Sequence, residues 1–359
     1  MILIVDPKSG RGGGQVVLEE LLVELGDAVP VSLAMPPASR DGVRIPPHVA
    51  TFDTASDALA AVAPAEPVLV VANANAALPV VHRVSAQARR DGRPVASAAI
   101  VHNYPVSRLK GAVTKHLLGR VDTAIVVEPG LTTLRSDAVI PSWLSVRRSD
   151  VPDVPARITS TRRVKAFARP DASKGLHLLP AIFTALEAAG FPCEVALGTG
   201  LTGDRRYEAR LRDDLAPWLV RGPRDASWIE PGDLFVVAST GGETACLAAQ
   251  EAMSRGAVVA ASRIGLMPYL TPVNHGIRTF AIGDRSGAVA AALELLTLPP
   301  ARFDAESRAG AAMIADRAGR WYVDARDLLL DRHERLAGTL VAGHPAAVRS
   351  SEDEVATCA

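Results

Sequence analysis

The sequence predicts an α/β protein made of two halves, each with a parallel sheet, and three observations carry that expectation. Short apolar runs alternate with longer helix-periodic stretches from the first residue; the alternation stops once, over 145–163; then it resumes almost to the end. Alternation of this kind means strand–helix–strand crossovers, and hence parallel strands covered on both faces. At 359 residues the chain is longer than one core usually supports, which agrees with two domains.

Taken in order, "MILIVD" reads as the first strand and "QVVLEELLVEL" (15–25) as a helix, with "AVPVSLAM" (28–35) a strand again. "SDALAAVA", "ALPVVHRVSAQARR" and "VSRLKGAVTKHLL" have helical spacing, whereas "PVLVVANA", "PVASAAIVH" and "VDTAIVVE" are strand-like runs between them. The stretch "SVRRSDVPDVPARITSTRR" has two prolines, five arginines and no apolar period, so it reads as a linker. Beyond it, "RVKAFAR", "CEVALG", "DLFVVAS", "AVVAAS" and "TFAIGD" are strand-like. "LHLLPAIFTALEAAG", "YEARLRDDLAPWL", "TACLAAQEAMSRG" and "SGAVAAALELLTL" alternate with them as helices. A final helical stretch, "RAGRWYVDARDLLLDRHERLAG", precedes a polar tail. Two parallel sheets facing each other would form a cleft, with ligands at the carboxyl ends of the strands.

Bulk composition excludes several classes. Lys+Arg and Asp+Glu are both 39, a formal net charge of zero, whereas nucleic-acid binders and polybasic membrane patches need a basic excess. No run of apolar residues reaches the length of a membrane span. "MILIV" is too short for a signal sequence. Cys193, Cys246 and Cys358 are far apart and lack metal-ligand spacing, which fits a reduced, cytoplasmic protein.

The chemistry-bearing residues concentrate after the linker. "GGETACLAAQEAMSRGAVV" (241–259) keeps Glu243 and Glu251 in a small, apolar setting beside a strand. With a helix starting near Thr244 or Ala245, the two carboxylates lie about 12 Å apart, too far to hold one atom but suited to two ends of one elongated ligand. Between them the amides of Thr244, Ala245, Cys246 and Leu247 would form an anion site at the helix start. A carboxylate, an anion site and a second carboxylate match a nucleotide sugar. The plainer alternative is a dipole-favoured acid at 243 and a solvated one at 251. In "VKAFARPDASKGLHLL" (164–179), Arg169 ends a strand and Lys174-Gly175 opens a helix. Two cations in one strand-to-helix loop can grip a diphosphate, Arg by its planar fork and Lys as a point charge. Singly, each would read as a solvated basic residue.

"ARPDASKG", followed some seventy residues later by "GDLFVVASTGGETACLAAQEAMSRGAVVAAS", resembles the carboxy-terminal half of the family 4 retaining glycosyltransferases of the GT-B fold. The resemblance covers residues 164–284, in the family's order. It implies that Arg169 and Lys174 hold the donor diphosphate, that Glu243 binds sugar hydroxyls, and that Glu251 binds the ribose. Where the family often has Gly-aromatic-Gly, this chain has Thr244-Ala245-Cys246. The amino-terminal half is similar more weakly. "DPKSGRGGG" (6–14) stands where the family has its glycine-rich loop, so Gly12 and Gly13 are expected at the ligand. It is neither a complete dinucleotide fingerprint nor a P-loop. His102, at a strand end, stands where the family often has a His that contacts donor sugar or acceptor; a structural His is the alternative. "WYVDARDLLL" (321–330) is similar to the family's last helix, which crosses back to the first domain.

The resemblance therefore implies an amino-terminal acceptor domain (1–145), a carboxy-terminal donor domain (164–315), a crossover helix (316–338) and a tail (339–359). It implies a retaining glycosyltransferase acting on a nucleotide-diphosphate sugar; the short first domain, with no amphipathic basic helix for docking to a membrane, makes a small molecule the expected acceptor, with natural-product biosynthesis as the expected setting. The catalytic set is Arg169, Lys174, Glu243 and His102. Glu251, Thr244–Leu247, Gly12 and Gly13 bind the donor, and the base is expected to stack near 220–228. No cofactor and no metal are expected, and oligomeric state is open. The alternatives are a sugar-nucleotide epimerase of related fold and a non-catalytic nucleotide-sugar binder.

Overall fold

A computed structural model describes residues 1–7, 13–26, 28–41, 43–102, 108–127, 137–140, 151–154, 158, 162–198, 204–220, 228–270 and 276–337. The chain divides into two compact units, one taking in Met1–Ser145 and returning at Arg320, the other spanning Val146–Gly319.

The first unit is a seven-stranded sheet with every pairing parallel. Its strands are β1 (Ile2–Val5), β2 (Val31–Ala34), β3 (Ala50–Phe52), β4 (Val68–Ala72), β5 (Val95–Val101), β6 (Thr123–Val126) and β7 (Ala138–Val139), in the order β3-β2-β1-β4-β5-β6-β7. β1, β2, β4 and β6 are buried at every position, as expected of strands covered on both faces. The crossovers include α1 (Gly13–Gly26), α2 (Pro37–Arg40), α3 (Ala55–Ala60), α4 (Leu78–Arg90) and α5 (Arg108–Leu118).

The second unit holds β8 (Val164–Ala168), β9 (Cys193–Leu197), β10 (Leu234–Val237), β11 (Val258–Ser262) and β12 (Ile277–Phe280), again all parallel, in the order β12-β11-β10-β8-β9. Its helices are α6 (Leu179–Ala188), α7 (Arg205–Leu215), α8 (Leu247–Ser254), α9 (Arg285–Leu296) and α10 (Pro300–Arg317). The last helix, α11 (Arg320–Ala337), belongs to the first unit, where Trp321, Tyr322, Ala325 and Leu329 are buried in its core.

Each sheet has a point where successive connections turn in opposite directions. In the first it lies between β1 and β4, in the second between β8 and β10. Open parallel sheets bind ligands outside the carboxyl ends of the strands at such points.

Several local expectations are corrected. α8 starts at Leu247, not at Thr244 or Ala245, because Cys246 takes a left-handed conformation (φ 50°, ψ 49°) that no continuing helix can contain. The stretch from Glu243 to Glu251 is therefore part loop, and helical rise does not set the distance between those carboxylates. Lys174-Gly175 does not open α6. It separates two 3-10 turns, Ala172–Lys174 and Leu176–Leu178, with Gly175 at φ 66°, and the α-helix begins at Leu179. β3, β7 and α10 carry too little periodicity to be seen in the sequence: β3 is three residues, β7 two, and α10 buries a face that includes Ser307, Gly310 and Ala311.

Candidate functional site

At the turning point of the second sheet, the loops after β8 and β10 are laced together by their backbones. The Thr240 and Gly241 amides both donate to the Ser173 carbonyl, at 2.7 and 3.1 Å. Gly175 makes that approach sterically feasible. A Cβ there would stand 1.8 Å from the Ala238 carbonyl oxygen, and its positive φ already favours glycine. The consequence is that Lys174 Nζ donates directly to Glu243 Oε1, residues 69 apart in sequence. Ser239 Oγ donates to the same oxygen at 3.1 Å. The Lys174 and Glu243 side chains are 16 % and 15 % exposed, enough cover to strengthen the pair while a ligand can still reach it.

Around this pair the loop after β8 is stiffened by Asp171, whose Oδ1 accepts from the Ser173 amide (2.8 Å) and hydroxyl (2.6 Å). Burial works to raise the Asp171 pKa. Those two hydrogen bonds, with the charges of Arg169 and Lys174, outweigh it and hold the carboxyl below its usual range. Arg169 follows β8 directly and is exposed at the same strand end. On the other side, the loop after β11 presses against Glu243-Thr244: Leu266 N donates to Thr244 O at 2.7 Å, and a Cβ on Gly265 would lie 2.3 Å from that oxygen.

Thr244, Ala245 and Cys246 are buried, and Leu247 is half-buried at the start of α8. Cys246 is the only non-glycine residue with positive φ among those described. Its carbonyl accepts from the Ala249 and Gln250 amides, so it caps the helix by backbone alone. The amides of Leu247 and Ala248 remain at the helix mouth without intrahelical partners. Glu251 sits in the second turn, half-buried.

In the first unit His102 follows β5 and is 6 % exposed. Its Nε2 lies 3.1 Å from Asn73 Oδ1, just after β4, and Asn73 Nδ2 donates to Asp6 Oδ2 at 2.8 Å, just after β1. Asp6 and Asn73 are 0 % and 1 % exposed, so three polar side chains are buried together where the sheet's connections diverge. The His102 ring stands 6.1 Å from that of Trp321 in α11. Sequence reasoning missed Asp6 and Asn73; the signal was a polar residue directly after each of three apolar strands. α1 begins at Gly13, while Gly12 lies outside the described residues.

Other candidates fall away. Trp228 is held at the amino edge of its sheet, because Lys165 near the start of β8 donates to its carbonyl (2.6 Å) and pairs with the buried Asp233 (2.7 Å). That is the edge opposite the cations; the rest of the stretch expected to seat the base, 221–227, lies outside the described residues. Burial pushes the Cys193 thiol up to about 12, which removes it as a nucleophile. Among the described residues no three His, Cys, Asp or Glu side chains cluster as metal ligands would, and no helix is long and apolar enough to cross a membrane.

The sequence matches no protein-family model and no curated protein. Solved structures do match it along nearly its whole length. Anabaena HepE in complex with UDP-glucose shares 18 % identity over 93 % of this chain and 99 % of its own, with a TM-score of 0.73. Sucrose-phosphate synthase from Thermosynechococcus elongatus shares 17 % over 94 % and 98 %, TM-score 0.68. A UDP-forming α,α-trehalose-phosphate synthase from Burkholderia xenovorans, in complex with glucose-6-phosphate, shares 11 % over 92 % and 99 %, TM-score 0.68. Together with the two parallel sheets, these likenesses give this chain the GT-B fold.

Proposed function

We propose that this protein is a retaining glycosyltransferase that moves a sugar from a nucleotide-diphosphate sugar, with a uridine-diphosphate sugar as the first candidate, to a small-molecule acceptor. The observation that carries it is Lys174 locked to Glu243 beside Arg169, at the strand edge where a parallel sheet binds ligands. A carboxylate within reach of sugar hydroxyls and two cations within reach of a diphosphate are the groups a sugar nucleotide needs at its reacting end. The solved relatives of like fold include complexes with UDP-glucose and with UDP and glucose.

In this reading Arg169 and Lys174 stabilise the diphosphate as the bond to the sugar C1 breaks and its electron pair stays with the leaving phosphate. The acceptor oxygen bonds to C1 on the same face and its proton is released. Oxocarbenium character develops at C1, as in other glycosyl transfers. Glu243 orients the sugar, Glu251 the ribose, and the Leu247 and Ala248 amides face the phosphates. Because the cations supply the counter-charge, the transfer is expected to proceed in a chelator. A natural-product scaffold is the expected acceptor.

A thermal-shift panel of nucleoside diphosphates and their sugar conjugates tests the donor. At a hundred times its dissociation constant a ligand stabilises by about 2.7 kcal/mol, a shift of a few degrees. A response confined to one base names the donor class; no response to any of them would remove the donor site. An epimerase would convert the sugar without an acceptor, which product analysis separates.

A further inference from the structure

Zero net charge hides an uneven spread of charge along the chain. Between Leu78 and Arg120 there are eight Lys and Arg and one acid, Asp91, against totals of 39 and 39. That segment supplies α4, β5 and α5, so two packed helices of the first unit share one sign of charge. Arg83 is exposed on α4, Lys110 and Lys115 are exposed on α5, and Arg120, just beyond α5, lies 3.3 Å from His82 on α4.

α5 also turns an apolar stripe outward. Thr114 and Leu118 are buried, whereas Leu109, Ala112, Val113 and His116 are all exposed. Their spacing, i, i+3, i+4 and i+7, puts them on one face of the helix, and the helical turn sets Lys110 and Lys115 on either side of it. Leu109 is 76 % and Val113 50 % exposed, one turn apart. The other two large apolar side chains exposed among the described residues, Ile282 and Val323, lie on separate elements. One exposed leucine is ordinary; an apolar pair flanked by lysines on a basic helix pair calls for an occupant.

We propose that α5 docks this protein on an anionic lipid bilayer, with Leu109 and Val113 entering the headgroup boundary and Lys110 and Lys115 at the phosphates. The helix lies on the bilayer and does not cross it, since its 11 residues are too few to span. Charge complementarity selects this occupant. A second copy of the chain, meeting the same face, would bring like charges together. A nucleic acid would answer the cations but leave Leu109 and Val113 in water. An anionic leaflet answers both. The expectation that the first domain lacks an amphipathic basic helix is thereby corrected. Leu117 and Leu118, which pack on the core, and the exposed Leu109 and Val113 give α5 apolar residues on opposite faces, so its outer stripe does not stand out in the sequence. The docking needs only the surface of the first unit and does not rest on the transfer proposed above.

Co-sedimentation of the full-length protein with vesicles, in the absence of any sugar nucleotide, is the test. Equimolar phosphatidylcholine and phosphatidylglycerol vesicles should bind it roughly tenfold more tightly than phosphatidylcholine alone, and added salt should weaken that binding. Lys110→Gln combined with Lys115→Gln should cost about tenfold in affinity. Leu109→Ser combined with Val113→Ser, both at exposed positions outside the core, should cost about threefold. Tryptophan emission of a Leu109→Trp variant should shift to the blue on anionic vesicles, unlike that of the parent protein. No preference for the anionic vesicles overturns the proposal, and so does binding that survives both double variants. Loss in the lysine variant alone, with no blue shift, would reduce the surface to a general anion patch, nucleic acid included, and overturn it as well. Because donor and acceptor are absent from the assay, failure of the proposed transfer would leave a positive docking result standing.

Discussion

Lys174 and Glu243 neutralise each other in the ligand-free protein, which changes what each substitution should do. An arriving diphosphate has to share Lys174 with the carboxylate, and the carboxylate repels it. Glu243→Gln keeps the shape and removes the repulsion. It is therefore expected to tighten binding of the free nucleoside diphosphate about threefold to tenfold, consistent with removing a screened charge a few ångströms away. It should meanwhile erase most of the preference for the sugar conjugate over the free diphosphate. Lys174→Ala should weaken both ligands tenfold or more. Isothermal titration of the two variants decides it, and unchanged or weaker diphosphate binding in Glu243→Gln would contradict the shared-lysine picture. These two residues were legible as a cation in one loop and an acid in another. Their direct pairing was not, because it depends on a backbone approach that neither loop displays by itself. Asp6 and Asn73 were less visible still, since a single polar residue after an apolar strand is ordinary until three of them prove adjacent.

At the level of elements, the loop after β8 stands against the end of β10 because Gly175 has no side chain. Gly175→Ala would drive a methyl group to 1.8 Å from the Ala238 carbonyl at a φ of 66°, so either the loop or the strand end must move. The expected cost is about 2–4 kcal/mol, with loss of the Lys174–Glu243 pair, measurable as a lower melting temperature and weakened diphosphate binding. A variant that melts like the parent and binds normally would show that the approach is not needed. The resemblance pointed to Lys174-Gly175 as a unit, but its physical reason is the tight crossing and not a helix start. The same kind of close packing hid the beginning of α8. Its apolar spacing runs back through Ala245, whereas the left-handed Cys246 stops the helix at Leu247. Periodicity reports which face is buried and is silent about one residue's φ. The long strands were plain in the sequence because burial on both faces leaves them apolar at nearly every position, while α10, with Ser307 and Gly310 on its buried face, gave little contrast.

Over the whole molecule, the two sheets carry different chemistry at their carboxyl edges. The second offers cations, helix-mouth amides and a paired carboxylate, a set suited to an anion. The first offers a buried acid–amide–imidazole chain, Asp6–Asn73–His102. If that division holds, a nucleoside diphosphate should act on one unit and spare the other. Hydrogen exchange with and without the diphosphate tests this across the chain at once. Slower exchange is expected in 169–179, where the Ser173 carbonyl ties the loops, and in 239–252, where the Leu247 and Ala248 amides would bind phosphate. Residues 2–6, 68–73 and 95–102 should keep their rates, because Asp6, the acid of that chain, opposes an arriving negative charge. Adding the sugar conjugate in place of the diphosphate should extend protection around Glu243. Protection that instead appeared first at the edge of β1, β4 and β5 would place the anion on the first unit. It would then be Asp6, an acid in the path of a phosphate, that needed explaining.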